Sequence, residues 1–280
     1  MGEYMLTTKQ LRDIKALQYL CEADDQITLK LNWDMLQNRE ANEKNDFFYY
    51  EDEELIAFLG LYGFGNKAEI CGMVKPAYRR KGIFSRLLDE ALAICKNRKY
   101  REILLNAPAA SATAKEFLKT IKCDRTSTEY QMKWSNMDLH EDIEVIVRPS
   151  LSEQDFKTEI QLDISCFNFL EDEAVDYNQR IRRDDKQRFF IIEHEKRSVG
   201  KIRISHEESE AWIYGFAVFP EFQGKGIGRR ALRQVIMNEY RNGYDVFLDV
   251  EAKNSNALKL YESCGFRTFQ AQEYYTLGTS

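Results

Sequence analysis

Two stretches of this chain repeat one another. GMVKPAYRRKGIFSRLLDEAL begins at Gly72, and FAVFPEFQGKGIGRRALRQVI begins at Phe216. Aligned without gaps, Val74, Pro76, Lys81, Gly82, Ile83, Arg86 and Leu88 recur as Val218, Pro220, Lys225, Gly226, Ile227, Arg230 and Leu232. The shift is close to half of the 280 residues. A period that long reads as a duplicated domain and not as a solenoid, so whatever fold the chain adopts must be buildable twice.

The flanks repeat as well. DFFYY, the charged turn EDEE, LIAFLGLY and AEICGMV predict three strands joined by hairpins. RFFIIEH, EKRS, VGKIRIS, EES and AWIYGFAV predict the same order in the second half. Each glycine loop is followed by an amphipathic helix. Ile83, Leu87, Leu88, Ala91 and Ile94 share one face of the first helix, and Leu232, Val235, Ile236 and Tyr240 share one face of the second. A strand follows (REILLN, then DVFLDV), and after it a short helix (SATAKEFLKTI, then NSNALKLYESC). The pattern predicts an α+β chain of two tandem domains, residues 1–138 and 143–280. They meet in SNMDLHEDI, after which VIVRPS and LSEQDF open a new strand and helix.

QGKGIG, between a strand and a helix, has the make-up of an anion cradle. Backbone N–H groups at a helix N-terminus point at one place, and the helix dipole adds positive charge there. Glycine allows close approach and positive φ, and Lys225, Arg229 and Arg230 bring cations. A plain turn would also use these glycines. Familiar phosphate loops do not match. A Walker loop ends GKS or GKT, whereas Gly226 follows Lys225. The dinucleotide fingerprint needs a third glycine where Arg229 stands, and HRD and DFG are absent.

Composition removes other classes. The formal charge is −6, from 40 Lys+Arg against 46 Asp+Glu, which lacks the basic excess of a nucleic-acid binder. Cys21, Cys71, Cys95, Cys123, Cys166 and Cys264 form no CxxC pair, and the three histidines are not at zinc-ligand spacing. No metal site and no disulfide framework are expected, and a reducing cytoplasm is the expected compartment. MGEYML has no apolar signal core, and no apolar run approaches a membrane span.

A different pattern fits. Gln223, Gly226 and Gly228 give Q-x-x-G-x-G after a strand ending V-x-P. Asn254, Ala257, Tyr261, Gly265 and Phe266 give N-x-x-A-x-x-x-Y-x-x-x-G-F downstream. In this order and spacing, the motifs resemble the GNAT superfamily of acyl-CoA-dependent N-acyltransferases. The resemblance covers most of residues 145–275, and the repeat extends a weaker form over roughly residues 1–135.

The resemblance implies a mostly antiparallel mixed sheet in each domain, splayed at a cofactor slot and flanked by helices. It implies acetyl-CoA as acyl donor, with no metal. Its pyrophosphate would lie on Gln223, Gly224, Lys225, Gly226, Ile227, Gly228 and Arg229. Pantetheine would run beside a bulged strand at Phe216, Ala217 and Val218, and the Val218 N–H would polarise the thioester carbonyl. Asn254 and Ala257 would also face the cofactor. Tyr261 holds the family's general-acid position, although it also fits a core aromatic, and Asn254 also fits a helix cap. For the base, Asp249 stands where some members carry a catalytic Glu, and Glu251 shares its sheet face by alternation. Glu210 and Tyr214 are further candidates.

The first half is a worn copy. Val74, Arg79, Arg80, Lys81, Gly82, Ile83 and Phe84 form a second candidate cofactor loop, with Phe84 in place of the last glycine. Ser111 falls where Asn254 falls, Leu118 where Tyr261 falls, and Lys122 and Cys123 replace Gly-Phe. Chemistry is therefore expected in the second half, with the first kept for packing and for shaping an acceptor cleft. The acceptor would be a primary amine of a small molecule or peptide. Glu171, Asp172, Glu173 and Asp176 would either attract a cationic acceptor or form a solvated helix face. The alternatives are a CoA-responsive regulatory protein without turnover, and transfer of a longer acyl or an aminoacyl group. Monomer and homodimer both remain open.

Overall fold

A computed structural model describes residues 4–39, 42–64, 66–139 and 144–278. The end of the expected boundary segment, from His140, lies outside the described residues. The first half contains α1 (Thr8–Asp25), α2 (Trp33–Gln37), β1 (Asp46–Glu51), β2 (Glu54–Phe64), β3 (Lys67–Val74), α3 (Ile83–Asn97), β4 (Glu102–Pro108), α4 (Ala112–Leu118) and β5 (Cys123–Trp134). The second contains β6 (Val145–Pro149), α5 (Glu153–Phe167), α6 (Glu171–Ile181), β7 (Gln187–His194), β8 (Arg197–Glu207), β9 (Glu210–Val218), α7 (Ile227–Arg241), β10 (Asp245–Glu251), α8 (Ser255–Ser263) and β11 (Phe266–Leu277). The duplicated order read from the sequence is present in full.

The chain divides into two compact units, Met1–Thr128 with Gln270–Ser280, and Glu129–Phe269. This division differs from two contiguous halves, because each sheet is completed by a strand from the other half of the sequence. In unit 1, β1, β2 and β3 are antiparallel neighbours, β3 pairs in parallel with β4, and β4 pairs antiparallel with residues 272–276 of β11. In unit 2, β6 to β9 form the antiparallel meander, β9 pairs in parallel with β10, and β10 pairs antiparallel with residues 129–133 of β5. The parallel pairs follow from chain order, since α3 and α7 are the helical crossovers that parallel neighbours need.

Packing explains the exchange. Met132 and Trp134 of β5 are buried in the unit 2 core, and Trp134 Nε1 donates to the Cys264 carbonyl at 3.0 Å. Burying Met132 alone contributes about 1.5–3 kcal/mol. Tyr275 and Leu277 of β11 pack on the core of unit 1 in the same way.

Each crossover helix lays its apolar face on its own sheet. Leu87, Leu88, Ala91 and Cys95 of α3 are buried, as are Ile227, Ala231, Leu232, Val235 and Ile236 of α7. Tyr240 departs from the expected face: it is 46% exposed, with its ring edge on Trp134 at the margin of the core. β2 is buried from Leu55 to Tyr62 without alternation. The reason is that unit 1 has a second core on its other face, where Ile14, Leu17 and Cys21 of α1 meet Phe58 and Tyr62.

Candidate active site

In unit 2 the parallel register of β9 and β10 ends at Ile213 and Leu248. Beyond it β9 continues to Val218 and β10 to Glu251 without pairing to each other, so a gap opens between them. The pairing of β9 with β8 shifts between Lys201 and Arg203. Gly215 lies in that bulge with φ 54°, a left-handed conformation suited to glycine. Past the bulge, Phe219 N donates to the Val199 carbonyl at 2.9 Å. Alternation along the strand therefore turns the Val218 N–H away from β8 and into the gap. The Val218 carbonyl accepts from Gln223 Nε2 at 2.8 Å and from Cys166 Sγ at 3.5 Å. Burial raises the Cys166 pKa, which keeps it a thiol donor.

The loop then turns through Pro220–Phe222 into Gly224, at φ 74°, and Gly226, at φ 78°, which starts α7. No side chain caps this helix, and its first turn holds no acidic residue, so its leading N–H groups face outward with their dipole uncompensated. Arg230 donates to the Lys225 carbonyl at 3.2 Å, and Arg229 Nε to Ser263 Oγ at 3.1 Å, which holds two cations beside the loop. Ile227 is buried and anchors the turn. Gly228 faces Phe216: a Cβ there would lie 3.3 Å from the ring.

Phe216 in turn lies beside Tyr261 of α8, with ring centroids 6.4 Å apart, and Phe266 flanks Tyr261 at 6.1 Å. Burial pushes the Tyr261 phenol up to about 12, with the nearby Cys264 adding to it. Its hydroxyl makes no hydrogen bond among the described residues. Asn254 caps α8, its Oδ1 accepting from Ala257 N at 3.1 Å. Asp249 directly follows the last β9-paired residue of β10. Glu251 is held by Lys253 at 2.6 Å. Glu210 is not brought to this place. It begins β9, roughly 26 Å along the strand from Val218, and accepts from Trp212 Nε1 at 2.7 Å. Tyr214 pairs with Arg203 just before the bulge.

Unit 1 repeats the frame with differences. β3 and β4 part after Ile70 and Leu105. The space beyond is a cavity of about 510 Å³, with Val74, Arg79, Arg80, Gly82, Ile83 and Phe84 of the candidate loop in its wall. Lys75 N donates to the Ile56 carbonyl at 2.8 Å, so the Val74 N–H faces the gap as Val218 does. The Val74 carbonyl accepts from Arg79 Nε at 3.0 Å and Cys21 Sγ at 3.5 Å, and Arg79 forks onto Asp25 at 2.9 and 2.8 Å. The register of β2 and β3 is unbroken at this point, so the bulge is missing. Arg80 takes φ 64° where unit 2 has Gly224. Phe84 packs beneath its helix, edge-on to Phe117 at 4.9 Å, and against Gly72. Ser111 caps α4 through Ala114 N at 3.1 Å, and Leu118 is buried.

The sequence profile described as "Acetyltransferase (GNAT) family" matches residues 9–119 and again residues 155–266. The chain belongs to the GNAT acetyltransferase family. Both matches fall on the units just described, so the chain is a tandem GNAT protein. N-alpha-acetyltransferase RimI of Mycobacterium tuberculosis is 38% identical over 63 residues, 22% of this chain and 39% of that protein. Spermidine N(1)-acetyltransferase of Vibrio cholerae is 30% identical over 97 residues, 32% of this chain and 54% of that protein. The matches thus span about half or less of these curated relatives. A GCN5-related N-acetyltransferase from Sphaerobacter thermophilus shares the fold, with TM-score 0.78 and 15% identity over 98% of this chain and 94% of that one.

Within the GNAT frame, sequence reasoning missed four elements. Gly215 at the bulge and the Cys166 thiol under Val218 carry no motif. Of the exchange of Phe216 and Gly228 for Gly72 and Phe84, only Phe84 in place of glycine was noted from the sequence. A third group, Lys201 and Arg203, had a signal: two cations at alternate positions of the strand VGKIRIS, which otherwise reads as core. The fourth is Asp25, which fixes Arg79. The acidic run lies on α6 with Glu171, Asp172 and Asp176 exposed, a solvated face that also complements the helix N-terminus. Among the described residues, no cluster of three His, Cys, Asp or Glu could hold a metal, and no helix is long and apolar enough to cross a membrane.

Proposed function

We propose that unit 2 transfers an acetyl group from acetyl-CoA to a primary amine of a small molecule or peptide by direct attack. The observation that carries this reading is the bulged end of β9. There the Val218 N–H faces an unpaired gap beside an uncapped helix N-terminus, and Phe216 of the same strand lies beside Tyr261. The residues fit an acyl-CoA. The opened strand edges offer partners for pantetheine amides, and Gly224, Gly226 and the α7 N-terminus offer N–H donors to a pyrophosphate.

Val218 N–H would donate to the thioester carbonyl oxygen as negative charge builds there. Asp249 would take the proton that the attacking amine sheds, directly or through water. Glu251, which Lys253 engages at 2.6 Å, is the second candidate. As the C–N bond forms and the C–S bond breaks, Tyr261 would give its proton to the departing sulfur. Asn254 would hold α8 in register at its cap. Both curated relatives named above are N-acetyltransferases by name, which supports acetyl transfer to nitrogen. Unit 1 has the slot without the bulge or the tyrosine, so it would hold a CoA-like ligand without turning it over.

The test is calorimetric titration with acetyl-CoA followed by release of free CoA thiol over a panel of primary amines. Binding with turnover of at least one amine supports the proposal. Absence of binding at high micromolar ligand overturns it. Binding without consumption across the panel would replace it with the CoA-responsive regulatory reading.

A further inference from the structure

Beside the bulge, unit 2 holds a pocket of about 240 Å³ formed by α5, α6, β7, β8 and β9, and Tyr214 and Gly215 are part of its wall. Phe167, Phe169, Tyr177 and Phe189 make it largely aromatic. Four charged side chains enter it: Glu159, Asp163, Lys201 and Arg203. Both acids are neutralised within the protein. Lys201 Nζ meets Asp163 Oδ1 at 2.5 Å, and Asn178 Nδ2 donates to Asp163 Oδ2 at 2.6 Å. Arg182 reaches Glu159 at 2.7 Å. Asp163, Glu159, Asn178 and Lys201 are all buried, so neither acid is available to a cationic ligand.

Arg203 is different. It has no carboxylate partner among the described residues, yet it is held in place. It donates to Gln187 Oε1 and to the Tyr177 hydroxyl at 3.3 Å, and its guanidinium lies 4.8 Å from the Tyr214 ring centroid. Gln187 is itself oriented, donating to Asp184 at 3.0 Å and to Ser205 at 2.9 Å. A pocket whose ion pairs cancel keeps the charge of its one remaining cation. A guanidinium fixed by neutral acceptors retains forked donors for a planar anion.

We infer that the amine acceptor carries a carboxylate, that Arg203 binds this carboxylate, and that the aromatic walls take the carbon chain between it and the amine. This rests on the acetyl-transfer reading of unit 2. Arg203 pairs with Tyr214, and Val218 lies four residues further along β9, roughly 13 Å. Amine and carboxylate therefore sit at opposite ends of the acceptor, as in an ω-amino acid, and not on one carbon.

The experiment compares kcat/KM for ε-aminocaproate with that for its carboxamide and for spermidine. The carboxylate should be preferred over the carboxamide by about 10- to 100-fold, the worth of a hydrogen-bonded charge. Arg203→Gln should bring the ratio close to one, and Arg203→Lys should restore part of it, which excludes misfolding as the cause. Equal use of the three amines by the native protein, or a ratio unaltered in Arg203→Gln, overturns the inference. If no amine is acetylated, the transfer reading fails and binding decides separately. Calorimetric binding of ε-aminocaproate that Arg203→Gln abolishes supports the carboxylate site, and absence of binding to the native protein overturns it.

Discussion

Replacing Tyr261 by Phe removes one oxygen and leaves the ring between Phe216 and Phe266, 6.4 and 6.1 Å away. Since the hydroxyl has no hydrogen-bond partner among the described residues, folding stability should change by less than about 0.5 kcal/mol. The chemical step should change far more. A positioned general acid contributes about 10²- to 10⁴-fold. A thiolate, with a thiol pKa near ~8.5, leaves without full protonation, which places the effect at the lower end. The expected loss in kcat is about 10²-fold, or about 2.7 kcal/mol of barrier. Continuous detection of released CoA thiol gives kcat and KM, and calorimetry gives the affinity for acetyl-CoA, which should be retained. The pH profile adds a second check. Burial raises the phenol to about 12, so it keeps its proton through the neutral range. A descending limb of kcat from Tyr261 should therefore be absent until pH nears that value. An unchanged kcat in Tyr261→Phe would refute the assignment. A limb near neutrality that vanishes in the variant would refute the argument from burial.

The two glycine loops separate by a matched pair. Asp tolerates the left-handed conformation seen at Gly226 and Gly82, φ 78° and 75°, but sets a carboxylate at the anion position. Gly226→Asp should abolish turnover and Gly82→Asp should leave it intact, measured by thiol release; equal losses would place chemistry in both units. Asp155 tests the fold of unit 2. It is buried, accepts both Arg148 Nη atoms at 2.8 and 2.9 Å, and accepts Leu151 N and Ser152 N at 3.1 and 3.0 Å. Arg148 and these N–H groups hold its carboxyl well below the usual range. A depressed carboxylate pKa stabilises the fold above the unfolded value, near ~3.9, and this is lost as pH falls toward the folded value. Asp155→Asn should cost about 1–3 kcal/mol at neutral pH in denaturant unfolding. The gap between variant and native protein should close in acid, and a gap independent of pH would count against the linkage.

How far the sequence could be read depended on the range of the interaction. The duplication, the strand and helix order, and the anion loop were legible because each rests on local periodicity and glycine placement. The exchange of closing strands was not. Nothing local in TSTEYQMKW or TFQAQEYYTL says which sheet Met132 or Tyr275 completes. The aromatic pocket beside the bulge was not read from the sequence. Lys201 and Arg203 are charges in an otherwise apolar strand, but their separate fates, one paired with Asp163 and one not, depend on side chains from α5 and β7. The acidic run left two readings open, because a helix face rich in Glu and Asp looks the same in sequence whether it lines a cleft or faces water.

The two copies show how a duplicated frame can keep its shape while the residues proposed for the chemistry are confined to one of them. Each unit needs one aromatic ring between the splayed strand and the crossover helix. Unit 2 takes it from the strand, with Phe216 over Gly228, and unit 1 from the helix, with Phe84 over Gly72. The exchange conserves volume, so either arrangement packs. Its consequences for the site are opposite. With the ring on the strand, Phe216 lies beside Tyr261 and the first turn of α7 carries only hydrogen at Gly228. With the ring on the helix, Phe84 stands in the first turn of α3, in the wall of the slot. Four residues earlier, Arg80 takes a left-handed conformation where unit 2 has Gly224, and the unbroken β2–β3 register gives Val74 no bulge. These differences act on distinct features of the proposed chemistry: an acid, backbone approach to the anion, and the bulge beside the strand N–H, which faces the gap in both units. Restoring a tyrosine at Leu118 would supply only the first.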